Sequence, residues 1–292
     1  MNKNVIIIAL IVVMSIIAAF LVYAIVTHSD NSVKAVKTVK EEVSVVEKKA
    51  PVPQVKTGDS ESAYLTSAAD YEKSGDLLKA REYYQKAMEK FPGSNNVSKT
   101  QEALDNLNVK ILFSSTLTSD SFLYEVQKGD NLTKIAKKFN TTTELISRSN
   151  DLKDANVRVG KKLKITKSKF SIVVDKSQNI LTLKADQDIF KTYRVSTGKN
   201  SCTPVGTFTV TNKIVDPPWY PSAGGMIPSK DPKNVLGSRW IGLSKKSYGI
   251  HGTIEPESIG QSVTEGCVRM RNAEVEELYS IVPIGTEVVI VD

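Results

Sequence analysis

His251 and Cys267 stand sixteen positions apart, each beside a glycine, in a chain with only two histidines and two cysteines. A thiol becomes a good nucleophile when it loses its proton, and an imidazole within hydrogen-bond reach can take that proton. Gly252 and Gly266 let backbone approach backbone and free N–H groups for an incoming oxyanion. Arg269, two positions past the cysteine, falls on the same side of an extended segment and can fork onto a substrate carboxylate. An isolated Cys and His would more often be a small buried hydrophobe and a satisfied core histidine, so the surrounding string decides.

That string runs Ile250-His251-Gly252-Thr253, then Ser258-Ile259-Gly260, then Thr264-Glu265-Gly266-Cys267-Val268-Arg269-Met270. It resembles the catalytic motif of the YkuD family of L,D-transpeptidases, in which a His-Gly-Thr segment precedes a Ser/Thr-His-Gly-Cys-x-Arg segment by a similar gap. The departure is Glu265, where the family usually has a second histidine. The resemblance implies Cys267 as nucleophile, His251 as proton donor and acceptor, the backbone N–H groups around Gly266 and Cys267 as oxyanion donors, and Arg269 as the residue orienting substrate or loop. Gly252, Thr253, Thr264 and Glu265 become the expected binding residues around them. The implied reaction is a cysteine acyltransferase reaction: an acyl-enzyme on a peptidoglycan stem tetrapeptide, resolved by a neighbouring stem's amine into a 3→3 cross-link. Water in place of the amine gives an L,D-carboxypeptidase. A third reading, a non-catalytic wall-binding scaffold, is favoured only by Glu265, whose carboxylate would hold a nearby thiol protonated. No cofactor and no metal is called for.

The elements that must hold this string lie at 169–292. Phe170, Ile172 and Val174 alternate, as do Leu181 and Leu183, Phe208 and Val210, and Val289 and Val291, so the module reads as mainly β. Asn272 is expected to cap one helix carrying Val275, Leu278, Tyr279 and Val282. Further matches to YkuD domains at Val195-Ser196-Thr197-Gly198 and Thr203-Pro204-Val205-Gly206 spread the resemblance over the module and imply a sandwich-like pair of sheets. The 214–239 segment, rich in Pro, Gly and Ser, reads as a lid or substrate loop. Trp219, Tyr220 and Trp240 serve either a groove or the core, and Cys202 is structural or incidental.

Residues 122–166 carry a strand, two short helices and a strand, with Asp130 as the first N-cap and Thr141-x-x-Glu144 as a capping box. This pattern resembles a LysM domain, a family that binds N-acetylglucosamine glycans. The groove it implies lies around the first strand–helix loop, Gly129, Asp130 and Asn131, and the second helix–strand loop, Asn150–Asn156. Residues 59–114 place Tyr64, Ala68, Tyr71, Ala80, Tyr84, Ala87 and Pro92 where a tetratricopeptide repeat has its packing residues. One repeat cannot bury its own face, so 97–112 is expected to close it. The module reads as a partner-binding repeat or as a helical spacer.

Val5 to Val26 is an almost unbroken apolar run of 22 residues, about 33 Å as a helix. It reads as an uncleaved single-pass membrane anchor (1–26), followed by a polar linker (27–58). The expectation is therefore a multidomain chain: N-terminal transmembrane helix, α-helical repeat, βααβ LysM domain and mainly-β catalytic domain. The last would work outside a bacterial cytoplasmic membrane, in the periplasm or wall. The formal charge of +7 over 292 residues is mild and spread out. It shows no basic patch with interleaved aromatics, which excludes nucleic acid as a partner. Peptidoglycan stems and glycan strands are the expected partners.

Overall fold

The computed structural model describes residues 60–221 and 224–292. The expected anchor and linker lie outside them. Among the described residues no helix is long and apolar enough to cross a membrane.

Three helices come first: α1 (Glu61–Lys73), α2 (Leu77–Lys90) and α3 (Val97–Leu112). Ser60 caps α1 by accepting from Ala63 N, and Asp76 caps α2 by accepting from Lys79 N. Ala68 and Ala80 are fully buried, so the first two helices approach closely, and Tyr71 and Tyr84 fill the seam. Leu104, Leu107 and Ile111 of α3 close that face, the coverage a lone helix pair lacks.

Next come β1 (Ser121–Glu125), α4 (Leu132–Lys138), α5 (Thr143–Ser149) and β2 (Lys162–Thr166), with β1 and β2 antiparallel. The βααβ order agrees with the sequence reading, but both caps sit one residue later. Asn131, not Asp130, caps α4 by accepting from Lys134 N, and Thr142, not Thr141, caps α5 by accepting from Leu145 N. Asp130 is occupied elsewhere: its carboxylate accepts from Tyr124 Oη and Gln127 N.

The remaining strands are β3 (Phe170–Asp175), β4 (Ile180–Ala185), β5 (Asp188–Arg194), β6 (Thr197–Gly198), β7 (Gly206–Val215), β8 (Arg239–Leu243), β9 (Gly249–His251), β10 (Ser262–Thr264) and β11 (Val268–Arg269). Helix α6 (Asn272–Ile281) and β12 (Glu287–Val291) complete the chain. Eight of these strands form one sheet in the order β11-β9-β8-β7-β12-β3-β4-β5, and β6 pairs with β10 separately. The expected pair of sheets is thus a single ladder that changes partners along β7. Gly206–Thr209 pair with β12, Val210–Val215 pair with β8, and the register slips between Val210 and Asn212, as where a strand turns a sandwich corner. Ile172, Val174, Leu181, Leu183, Val288 and Ile290 form the core with Val275, Leu278 and Ile281 of α6. The inward residues of β12 are Val288 and Ile290, not Val289 and Val291; in the run Val288-Val289-Ile290-Val291 every position is apolar and alternation cannot choose a face.

The modules are packed together. Leu112 of α3 and Leu145 of α5 belong to the same apolar cluster as the eight-stranded sheet. Lys164 of β2, 3% exposed, donates from Nζ to Ile111 O at 2.9 Å and Ser114 O at 2.8 Å, satisfying carbonyls at the end of α3. Thr142 Oγ1 donates to Ser280 O of α6, and the Arg148 guanidinium lies 3.5 Å from the Phe113 ring centroid.

Candidate active site

The thiol and imidazole arrive on neighbouring strands. β11 runs parallel to β9, with Val268 opposite Ile250 and Arg269 opposite His251. Carrying the register one residue back sets Cys267 beside Gly249, whose N–H is hydrogen-bonded to the sulfur. Residues opposite each other project from the same face of a sheet and alternate along each strand, so Cys267, Arg269 and His251 share a face, with Cys267 and His251 diagonal neighbours. They do not hydrogen-bond each other. The sulfur lies 3.7 Å from Ser247 O, and His251 Nδ1 lies 2.7 Å from Gly252 O.

The second contact fixes the tautomer. A carbonyl oxygen only accepts, so Nδ1 carries the proton and Nε2 keeps the lone pair a general base needs. His251 is 4% exposed. Burial, with a smaller contribution from the Arg269 charge and against the Gly252 bond, lowers its pKa to about 4. The Trp240 ring stacks on it, centroids 6.1 Å apart and 17° between planes. Burial also pushes the Cys267 thiol up; the Gly249 N–H pulls it down, while Cys202 and Glu265 add to the rise. At neutral pH the resting pair is therefore a neutral thiol and a neutral imidazole, not an ion pair.

The turn into Cys267 is tied on both sides by one hydroxyl. Thr264 Oγ1 accepts from Gly266 N at 3.2 Å and donates to Cys267 O at 2.7 Å. Gly266 takes φ 120°, and a Cβ there would sit 2.8 Å from the Tyr248 ring, so only glycine fits. Of the two backbone groups expected to hold the oxyanion, the Gly266 N–H is already spent on Thr264. The Cys267 N–H has no intramolecular partner among the described residues and remains available as a donor.

Arg269 is 8% exposed, and its Nη1 donates to Glu255 Oε2 at 2.8 Å and Ser258 Oγ at 2.9 Å. It therefore braces the loop between β9 and β10 and does not present a fork to an incoming carboxylate. Gly252, Thr253 and Thr264 are buried as well, their polar groups engaged within the fold; of the four expected binding residues only Glu265 is exposed. Cys202 is an exposed free thiol, its Sγ 3.9 Å from Thr264 O. Among the described residues no group of three or more His, Cys, Asp or Glu is placed to hold a metal.

One positioning residue escaped the sequence reading. Asn272 was expected as a helix cap, yet it is the first residue of α6, and at the N-terminus Glu274 accepts from the Arg271 N–H and pairs with its guanidinium. Its side chain reaches instead into the loop behind His251: Oδ1 accepts from Thr253 N at 3.0 Å and Ser238 N at 3.1 Å, and Nδ2 donates to Thr253 O at 2.8 Å. A Cβ on Gly252 would stand 2.1 Å from that Oδ1, so the glycine after the histidine makes room for the asparagine. The 216–238 segment is pinned by Asn234 Nδ2, which donates to Pro217 O and Pro228 O, while Tyr220 at its tip is exposed.

In the βααβ module a groove of about 560 Å³ is lined by Asn131, Leu132, Glu144, Arg148 and Asp154, with Ser280 of α6 at its edge. Asn131 of the first strand–helix loop and Leu152 and Asp154 of the second helix–strand loop thus line one cavity. Asn150 does not line this groove: its amide donates to Ile146 O and Lys164 O and accepts from Lys164 N, tying the helix end to β2. Gly129 and Asp130 form the turn before Asn131 and do not line it either.

Residues 124–166 match the LysM domain, and residues 169–290 match the L,D-transpeptidase catalytic domain known as YkuD. Among curated proteins, the chain is 35% identical over 174 residues to the putative L,D-transpeptidase YkuD of Bacillus subtilis, covering 57% of this chain and 97% of that protein. It is 42% identical over 127 residues to the putative L,D-transpeptidase YqjB of the same organism, covering 41% of this chain and 70% of that one. Among solved structures, an L,D-transpeptidase from Mycobacterium smegmatis aligns at 22% identity with a TM-score of 0.38, over 46% of this chain and 65% of that one. The match takes in nearly the whole length of the Bacillus subtilis YkuD protein, and this chain belongs to the YkuD family of L,D-transpeptidases.

Proposed function

We propose that the protein is a peptidoglycan L,D-transpeptidase, with Cys267 as nucleophile and His251 as general base. The observation that carries the reading is the hydrogen bond from His251 Nδ1 to Gly252 O, which leaves Nε2 unprotonated on the face that also bears the thiol. His251 draws the proton from Cys267 as the sulfur attacks the stem-peptide carbonyl. The Cys267 N–H, and not that of Gly266, faces the developing oxyanion; a donor of this kind is worth about 3 kcal/mol of barrier. His251 then gives its proton to the departing D-alanine amine. An amine on a neighbouring stem resolves the thioester to a 3→3 cross-link, and water resolves it to a trimmed stem.

The βααβ module grips glycan through the groove beside Asn131, close to α6 of the catalytic domain. The helical module is a tetratricopeptide-like unit, and the apolar 5–26 run tethers the chain to a cytoplasmic membrane with the enzyme on the wall side. The test is incubation of the protein with tetrapeptide muropeptides and mass analysis of the products. Cross-linked dimers from the native chain and none from Cys267→Ala support the reading; dimers from the variant overturn it.

A further inference from the structure

The carboxylate of Glu265 lies exposed at the crest of the turn that delivers the nucleophile. Both ends of that turn are fixed, since Thr264 Oγ1 bonds Gly266 N and Cys267 O. Glu255, on the loop between β9 and β10, is neutralised within the fold by Arg269, whereas Glu257 on the same loop is exposed like Glu265 but does not share the nucleophile's turn. Among the described residues no cation pairs with Glu265 and no hydrogen bond holds its side chain. Its charge reaches the sulfur and adds to the rise of the Cys267 pKa. An unpaired anion beside a group that must itself become an anion works against the first half of the reaction.

The second half supplies the missing cation. An aliphatic amine reaches the site as an ammonium at neutral pH, whereas the thioester it must attack is neutral. We infer that Glu265 is the acceptor-specificity residue of this site, its carboxylate receiving the ammonium of the incoming diamino-acid side chain and holding it beside the thioester carbonyl. The ammonium then loses one proton to water. Its lone pair forms the C–N bond as the C–S bond breaks, and the proton released from the new amide nitrogen passes through His251 to the sulfur. The same charge repels the carboxylate of a donor stem or of released D-alanine, so the two peptide termini are sorted by sign.

This inference rests on the acyl-enzyme reading above, and the experiment separates the two. The full-length protein and its Glu265→Gln and Glu265→Asp variants are given a tetrapeptide donor and a titrated diamino-acid acceptor. Intact mass reports the acyl-enzyme, and product analysis gives the ratio of aminolysis to hydrolysis. Below saturation Glu265→Gln lowers that ratio about tenfold, the loss expected of one charge-assisted contact, and Glu265→Asp restores part of it. An acyl-enzyme whose ratio is the same in Glu265→Gln overturns the assignment of Glu265 alone. Absence of an acyl-enzyme in the native protein overturns the catalytic reading, and this inference with it.

Discussion

The Asp105 carboxylate, on helix α3, accepts the backbone N–H of Thr192 at 2.9 Å along the free edge of the eight-stranded sheet. β5 is the last strand of that sheet, and an uncovered edge is a template for pairing with another chain. The helical module covers it: Asn108 Nδ2 also donates to Phe190 O, and Lys191 Nζ to Asn106 Oδ1. The first prediction follows. Asp105→Ala orphans the Thr192 N–H and costs roughly 1–3 kcal/mol of stability, read from the denaturant midpoint. Deleting residues 60–114 leaves the β5 edge uncovered, and the remaining protein self-associates in sizing and light-scattering experiments. A truncated protein that stayed monomeric and equally stable would make the helices a mere spacer.

A second prediction concerns Asn272. Its amide joins α6 to the segment after His251 and to Ser238 at once, so Asn272→Ala leaves the Thr253 and Ser238 N–H groups without their acceptor. Acylation of Cys267 falls by about tenfold or more, because a small displacement of a positioned base is costly. The His251 ring should also lose its single environment by NMR. Asn272→Asp keeps both acceptor bonds and sacrifices only the bond to Thr253 O, so it retains more activity. Equal losses in the two variants would contradict the acceptor role.

How far the sequence reaches is visible in these residues. His251 and Cys267 stood out as a pair because the string around them resembles the YkuD motif, and the βααβ order was legible from helical spacing between two strands. Asn272 was not: an asparagine at a helix start reads as a cap, and nothing local reveals that its amide serves a loop nineteen residues earlier. Arg269 was read half correctly, since its place beside the thiol follows from spacing while its pairing with Glu255 depends on the path of the loop. Gly266 and Asn150 failed for one reason. Whether a backbone or amide group is free for a ligand is decided by its partners within the fold, here Thr264 and β2, and composition carries no record of them.

The third prediction addresses how the modules are joined. Lys164 is buried with its ammonium against the carbonyls ending α3, and burial lowers its pKa to about 8. Lys164→Met keeps the aliphatic stem but removes the ammonium, leaving Ser114 O without its donor while Ile111 O keeps the Ser114 N–H and hydroxyl. Limited proteolysis then cuts within 113–120 faster than in the native protein, while Cys267 acylation by a small thiol-reactive β-lactam persists. Unchanged cleavage in this variant would show that the Leu112 and Leu145 contacts hold the junction without the lysine.

The last prediction uses the sign of the His251 shift. In the unfolded chain the imidazole titrates near its ordinary 6.5, and in the folded protein near 4. Above pH 6.5 both forms are neutral and the group adds nothing to the pH dependence. Between 6.5 and 4 the unfolded chain takes up a proton that the folded site refuses, so stability falls as the pH falls. The loss over that window is on the order of 3 kcal/mol. Carboxylates titrate in part of the same range, so the measurement is a difference: denaturant unfolding of the native protein and of His251→Gln at pH 7, 5.5 and 4.5. The native protein should lose stability faster on acidification than the variant does. Parallel curves would mean that the ring is protonated at the same pH in both states, and an imidazole that accessible would not be the buried neutral base described for Cys267.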